Sequence, residues 1–168
     1  TLRSAVHDWL HRTPIQGSTP DDPDDANVVS SFVDEYLKAM KRRQGVQAES
    51  FASVPGSSPE ATQARLDASL EASGAFLRGD DVSEEHRARV SRIRAGLLFV
   101  ESYRKLPLLA WPRLLVDMVV ELEETLVLFR TRHARMVERV IGRRLGTGGS
   151  SGVDYLDRTT KYRIFKEL

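Results

Sequence analysis

The stretch LLVDMVVELEETLVLFRTRHARMVERVI, residues 114–141, decides the fold because its apolar residues recur at spacings of three and four. This period places them on one face of a helix. The face comprises Val119, Leu122, Leu126, Phe129, His133, Val137 and Val140. His133 is the only ionisable residue in this apolar stripe. The pattern therefore predicts one long helix that carries an inward-facing imidazole.

Periodicity alone leaves two interpretations of His133 open. A lone histidine on an apolar face is more often a core residue, whose ring nitrogens bond to backbone carbonyls, than a metal or haem ligand. A haem ligand requires an apolar helix surface above and below the imidazole. Phe129 and Val137, one turn away on either side, satisfy that requirement.

A glycine-rich loop, GTGGSSG at residues 146–152, follows the predicted long helix. Its composition is also that of a flexible linker. However, the loop is followed by an aromatic-rich apolar segment containing Val153, Tyr155, Leu156, Tyr162, Ile164 and Phe165. Glycines let backbone amides approach a carboxylate, and the Thr147 hydroxyl can both donate and accept hydrogen bonds. The loop is therefore predicted to order over a bound ligand.

A longer motif carries a family resemblance. The stretch FRTRHARMVERVIG, residues 129–142, followed by RRL and GTGGSSGVDYL, resembles the C-terminal signature of the tryptophan 2,3-dioxygenase family. The clear match covers residues 109–168. Upstream the chain is similar to the family only in being helical, with residues 2–10 similar to the helix that begins this half. The resemblance implies an all-α helical bundle of the haem dioxygenase type.

The resemblance also implies site residues. The histidine of the RxxHxxxVxRxIG pattern, His133, would be the proximal ligand of haem b iron. Phe129, Val137 and Tyr155 would be further haem-binding residues. The family usually carries tryptophan where Phe129 stands, so any polar contact from an indole N–H is absent here. No catalytic side chain is assigned within this chain.

The implied reaction is cleavage of the indole C2–C3 bond of L-tryptophan by O2 to N-formylkynurenine, the first step of the kynurenine pathway. Thr147 would contact the ammonium and carboxylate of the substrate, with Gly148 beside it in the loop. Three alternatives remain open. They are a related haem monooxygenase that gives an oxindole or a hydroxylated amino acid, a haem-free helical interaction module, and a haem-binding sensor or carrier.

The family's distal histidine, its aromatic wall around the indole and its substrate-carboxylate arginine lie in an N-terminal half that no segment here matches. We therefore expect residues 1–168 to be a single helical domain from the C-terminal part of a longer chain, with Leu168 inside a helix that continues. An N-terminal portion, as a separate chain or segment, would complete the pocket. The family also suggests a homotetramer.

Composition excludes several classes of site and partner. The 168 residues contain no cysteine, which excludes disulfides, thiolate ligation of haem and cysteine nucleophiles. A net charge of +1 gives no reason to expect nucleic acid or an anionic membrane as a partner. No apolar run approaches the length of a membrane span. A cytoplasmic location is expected.

Other helices are predicted upstream of the long one. The first spans residues 2–10 and ends before Pro14, and a second runs from Val29 to Met40 and is closed by Gly45. Ser58 is the predicted N-cap of a third. A fourth runs from about Ser83 to Val100. Its arginines, Arg87, Arg89, Arg92 and Arg94, are predicted to form a solvated, salt-bridged face rather than an RNA-binding surface.

Overall fold

A computed structural model of the chain describes residues 1–52, 58–142 and 152–165. Its helices are α1 (Leu2–Arg12), α2 (Asp25–Ala52), α3 (Pro59–Arg78), α4 (Glu84–Ser102), α5 (Ala110–Ile141) and α6 (Gly152–Thr159). A 3-10 turn at Pro107–Leu109 precedes α5. Within these described ranges the only β-type pairing is an isolated bridge between Ile15 and Ser18. The all-α prediction is confirmed, as is the prediction of one long helix that carries His133.

The chain divides into two compact units. The N-terminal unit, Thr1–Ser102, contains α1 to α4, and the C-terminal unit, Tyr103–Leu168, contains α5 and α6. The expectation of a single domain across both units stays a prediction.

Helix ends follow the local chemistry of the sequence with one exception. The Ser58 hydroxyl accepts a hydrogen bond from the Ala61 amide at 3.3 Å, which confirms the predicted N-cap of α3. The prediction that Gly45 closes α2 is wrong, because α2 continues to Ala52. An interior glycine costs a helix about 1 kcal/mol, which the other residues of a 28-residue helix can offset.

The core of the N-terminal unit lies between α2, α3 and α4. It contains Ile15, Val29, Phe32, Val33, Leu77 and Ala95. Phe32 also meets Phe99 edge to face, with ring centroids 5.7 Å apart. α1 approaches α4 very closely at Gly96, where a Cβ atom would lie only 2.5 Å from the Leu10 carbonyl oxygen. Glycine at this position therefore permits the contact between the two helices.

Two arginines of α4 are buried, which corrects the prediction of a solvated face for them. Arg92 is 4% exposed and Arg94 is 6% exposed. Arg94 pairs with both oxygens of Asp81, donates to the Phe76 carbonyl and lies over the Phe76 ring at 3.6 Å. These contacts satisfy a buried charge that the apolar periodicity of α4 did not reveal.

None of the helices in the described part of the chain is long and apolar enough to cross a membrane.

Candidate functional site

Helix α5 has one face covered by its own unit. Val116, Val119 and Ala134 are buried on this face. α6 and the segment after it pack there, burying Val153 and Phe165. With the buried Glu123, these residues follow spacings of three, four and eleven, which are close to whole numbers of helical turns and place them on one side of the helix.

A buried carboxylate fastens the segment after α6 to this covered face. Glu123 is 5% exposed, and its oxygens accept hydrogen bonds from the Ile164 amide at 3.0 and 3.1 Å and from the Phe165 amide at 3.3 Å. Two turns further along α5, Arg130 donates to the Tyr162 carbonyl at 2.7 Å. We call these contacts the Glu123–Arg130 clamp. Sequence analysis did not predict this clamp. The only indication in the sequence was an acidic residue, Glu123, four residues after the apolar Val119 on the same side of the helix.

His133 lies at the edge of the covered face and is half-buried. Its imidazole is nearly parallel to the Phe129 ring one turn earlier, with an interplanar angle of 9° and centroids 5.9 Å apart. Phe129 itself is 62% exposed, Val140 is 76% exposed, and Val137 is half-buried. The prediction that this stripe faces inward is therefore wrong for Phe129 and Val140, while His133 and Val137 are half-buried.

The surface beyond His133 is an open apolar face. It consists of Trp111, Met118, Leu122, Phe129, Met136 and Val140, each 39% to 76% exposed. Scattered apolar side chains on a protein surface are ordinary, whereas a contiguous apolar stripe is typical of a surface that binds a ligand or another protein surface.

The environment of His133 differs from that of a core histidine. A core histidine is enclosed and bonded to protein groups, whereas His133 is half-buried and forms no hydrogen bond with the described residues. In the same part of the chain no group of three or more histidine, cysteine or acidic residues could hold a bare metal ion. Haem iron, however, needs only an axial residue from the protein, and His133 with apolar Phe129 and Val137 fits that requirement.

The remaining predicted site residues do not lie on α5. Tyr155 lies on α6 and is 60% exposed. Thr147 and Gly148, predicted to bind the substrate, lie outside the described residues. The structure therefore brings His133, Phe129 and Val137 together on α5.

The described helices define the class, an all-α protein, and the half-buried His133 beside an open apolar face of its long helix is the candidate site. The tryptophan 2,3-dioxygenase family model matches residues 1–168, and the chain belongs to that family.

Curated relatives match the whole of this chain. It is 45% identical to a tryptophan 2,3-dioxygenase-like protein of Xanthomonas campestris pv. campestris (strain 8004), of which it covers 62%. It is 43% identical to a tryptophan 2,3-dioxygenase of Sorangium cellulosum and 41% identical to tryptophan 2,3-dioxygenase 2 of Ralstonia nicotianae, covering 41% and 46% of them. The chain thus spans less than two thirds of the length of each. No solved structure is significantly similar to it.

Proposed function

We propose that this chain forms the proximal part of a haem dioxygenase that cleaves the indole C2–C3 bond of L-tryptophan to give N-formylkynurenine. The observation that carries the proposal is His133, a half-buried imidazole with no hydrogen-bond partner among the described residues, set beside an open apolar face. The family match over residues 1–168 supports the reaction. The named relatives support L-tryptophan as the substrate.

In this proposal His133 would hold haem b. When bound, the haem would supply the oxygen chemistry. His133 would bind it through one neutral ring nitrogen, with the Phe129 ring nearly parallel to the imidazole one turn earlier. Phe129 and Val137 contribute apolar surface that keeps water from the ligating nitrogen. Tyr155, from α6, is a further haem-binding residue of the proposal.

Thr147 and Gly148 are the proposed substrate-binding residues. The Thr147 hydroxyl can accept from the ammonium group and donate to the carboxylate of the amino acid. The amide of Gly148 can approach the carboxylate because no Cβ is present. Together they would orient the amino-acid end of the substrate, so that the indole is presented for oxidation.

The rest of the pocket is proposed to come from an N-terminal portion of the same protein, as a separate chain or segment. The open apolar face of α5 supports this, since Trp111, Met118 and Phe129 are 61%, 56% and 62% exposed. We also propose the homotetramer and the cytoplasmic location expected of this family, without a nucleic-acid or membrane partner.

Absorption spectroscopy of the protein together with its N-terminal portion tests the proposal. The dithionite-reduced protein should show a Soret band that His133→Ala abolishes and His86→Ala, an exposed α4 substitution, leaves unchanged. L-tryptophan and air should then produce N-formylkynurenine. A Soret band that survives in His133→Ala would refute the ligand assignment, and a product with one added oxygen atom would refute dioxygenation.

Thr147→Val separates substrate binding from haem binding. The variant keeps the volume of the side chain and loses its hydroxyl, so KM for L-tryptophan should rise by about tenfold, the effect of losing one hydrogen bond to a charged group. Haem content should stay near that of the unaltered protein. Unchanged kinetics would contradict the assignment of Thr147.

A further inference from the structure

A cavity of about 470 Å³ lies between α1, α2, α3 and α4 of the N-terminal unit. Its walls include the apolar side chains of Val29 and Val33, which belong to the core. Cavities of this size accommodate small organic ligands, which are usually held by apolar walls and a few polar groups.

Arg92 lines this cavity and retains unused hydrogen-bond donors. Its side chain is 5% exposed, and only Nη2 donates, to the carbonyls of Thr13 at 3.3 Å and Ser18 at 3.1 Å. Nε lies 2.9 Å from the Asp25 carboxylate but outside hydrogen-bond geometry, and Nη1 is buried with no partner among the described residues. Nη1 is enclosed by protein, so Arg92 contributes its positive charge beside the cavity rather than a donor that a ligand can reach.

The lining of the cavity has an excess of positive charge. Four arginines line it, Arg78, Arg87, Arg89 and Arg92, against two carboxylates, Asp25 and Glu84. Asp34, Asp8 and Asp80 are not among the lining residues, but they pair with Arg78, Arg89 and Arg87 from outside it. The side chains of Arg78 and Arg89 are 53% and 50% exposed, and ion pairs this exposed are weak enough for a bound anion to displace.

His11 lies among the same charged groups. Burial lowers its pKa, and the positive charges of Arg89 and Arg92 lower it further, while Asp25 and Asp8 oppose them. His11 lines the cavity, so an anion placed there would favour its protonated form.

We propose that this cavity binds a small organic anion, with its carboxylate or phosphate held by Arg89 and Arg78 and its apolar body against Val29 and Val33. The site consists only of residues from the N-terminal unit and goes beyond the proposed oxygenase function. It does not depend on haem ligation by His133.

Calorimetric titration with benzoate and phenyl phosphate tests the proposal and distinguishes the two anionic groups. At least one should bind, whereas neutral benzyl alcohol should not. Arg89→Gln should weaken binding by about tenfold, the effect of losing one charge-assisted hydrogen bond. Arg113→Gln is the matched control because Arg113 also forms an exposed ion pair, with Asp117, but does not line the cavity.

NMR titration of the histidines gives a second measurement of anion binding. If Arg92 only stabilised the fold, adding the anion would not change the pKa of His11. The pKa of His11 should rise when the binding anion is added, while that of the exposed His86 should not move. Failure of both anions to bind at millimolar concentration would overturn the proposal. The proposal would also be overturned if Arg89→Gln and Arg113→Gln weakened binding equally, or if benzyl alcohol bound as well as the anions. A His11 pKa that does not change when the anion binds would overturn it too.

Discussion

The two units of this chain stabilise themselves in different ways. The N-terminal unit has a shared core and two buried arginines, one of which, Arg94, makes contacts with both α3 and the Asp81 carboxylate. In the C-terminal unit a few contacts, chiefly the Glu123–Arg130 clamp, hold the returning segment on α5. The other side of α5 stays apolar and exposed around Phe129.

The comparison suggests that the two units differ in which property a substitution would change, stability or ligand binding. In the N-terminal unit, the buried charge of Arg94 is neutralised within the unit. In the C-terminal unit the face beside His133 is left exposed by residues 103–142 and 152–165, and exposed apolar stripes of this kind are typical of binding surfaces. Substitutions should therefore affect the stability of the covered regions, and ligand binding at the open one.

The largest loss of stability is expected from Glu123→Leu. Leucine has a similar volume but no acceptor, so the part-buried amide of Ile164 and the buried amide of Phe165 would lose their partner. Unsatisfied buried donors cost about 1–3 kcal/mol each, so the free energy of unfolding of this unit should fall by about 3 kcal/mol. Urea denaturation monitored by hydrogen exchange of residues 160–165 would measure the change.

Glu124→Leu is the matched control for this substitution. Glu124 is the adjacent residue on α5 and is exposed, so its replacement should change stability by less than about 0.5 kcal/mol. Equal effects of the two substitutions would show that the clamp contributes nothing specific.

Gly96→Ala should give the next largest effect, this time in the N-terminal unit. The added methyl would lie 2.5 Å from the Leu10 carbonyl oxygen, so α1 and α4 would have to separate. Overpacking of this kind costs about 1–3 kcal/mol. Thermal unfolding followed by circular dichroism would measure it.

Gly45→Ala tests the same chemical change where no neighbour stands within 4 Å of the added methyl. It lies inside α2, where alanine is the better helix former by about 1 kcal/mol, so this variant should be more stable than the unaltered protein. A loss of stability at position 45 comparable with that at 96 would contradict the steric explanation.

The sequence predicts helices well because their signals are local. Ser58 caps α3 through an atom three residues away, and apolar spacing identifies α5 without any knowledge of its neighbours. Glu123 and Arg92 were not predicted as buried polar residues because their partners are distant in sequence, 41 residues away for Ile164 and 79 for Thr13. Periodicity also cannot state which protein surface covers an apolar stripe, which is why His133 was expected to face inward.

A smaller effect is expected from Asp81→Asn, and it depends on pH. A hydrogen bond from Arg94 lowers the pKa of Asp81 in the folded protein, so the stability this pair contributes is present above the unfolded pKa and is lost as pH falls through the folded one. Asparagine cannot ionise, so the variant should be less stable at neutral pH and should approach the unaltered protein in acid. Urea midpoints from neutral to strongly acidic pH would show the convergence, and a difference that persists unchanged in acid would assign the effect to packing. Asp34→Asn, which breaks the half-exposed pair with Arg78, should produce a weaker effect at neutral pH because water and salt already screen that pair.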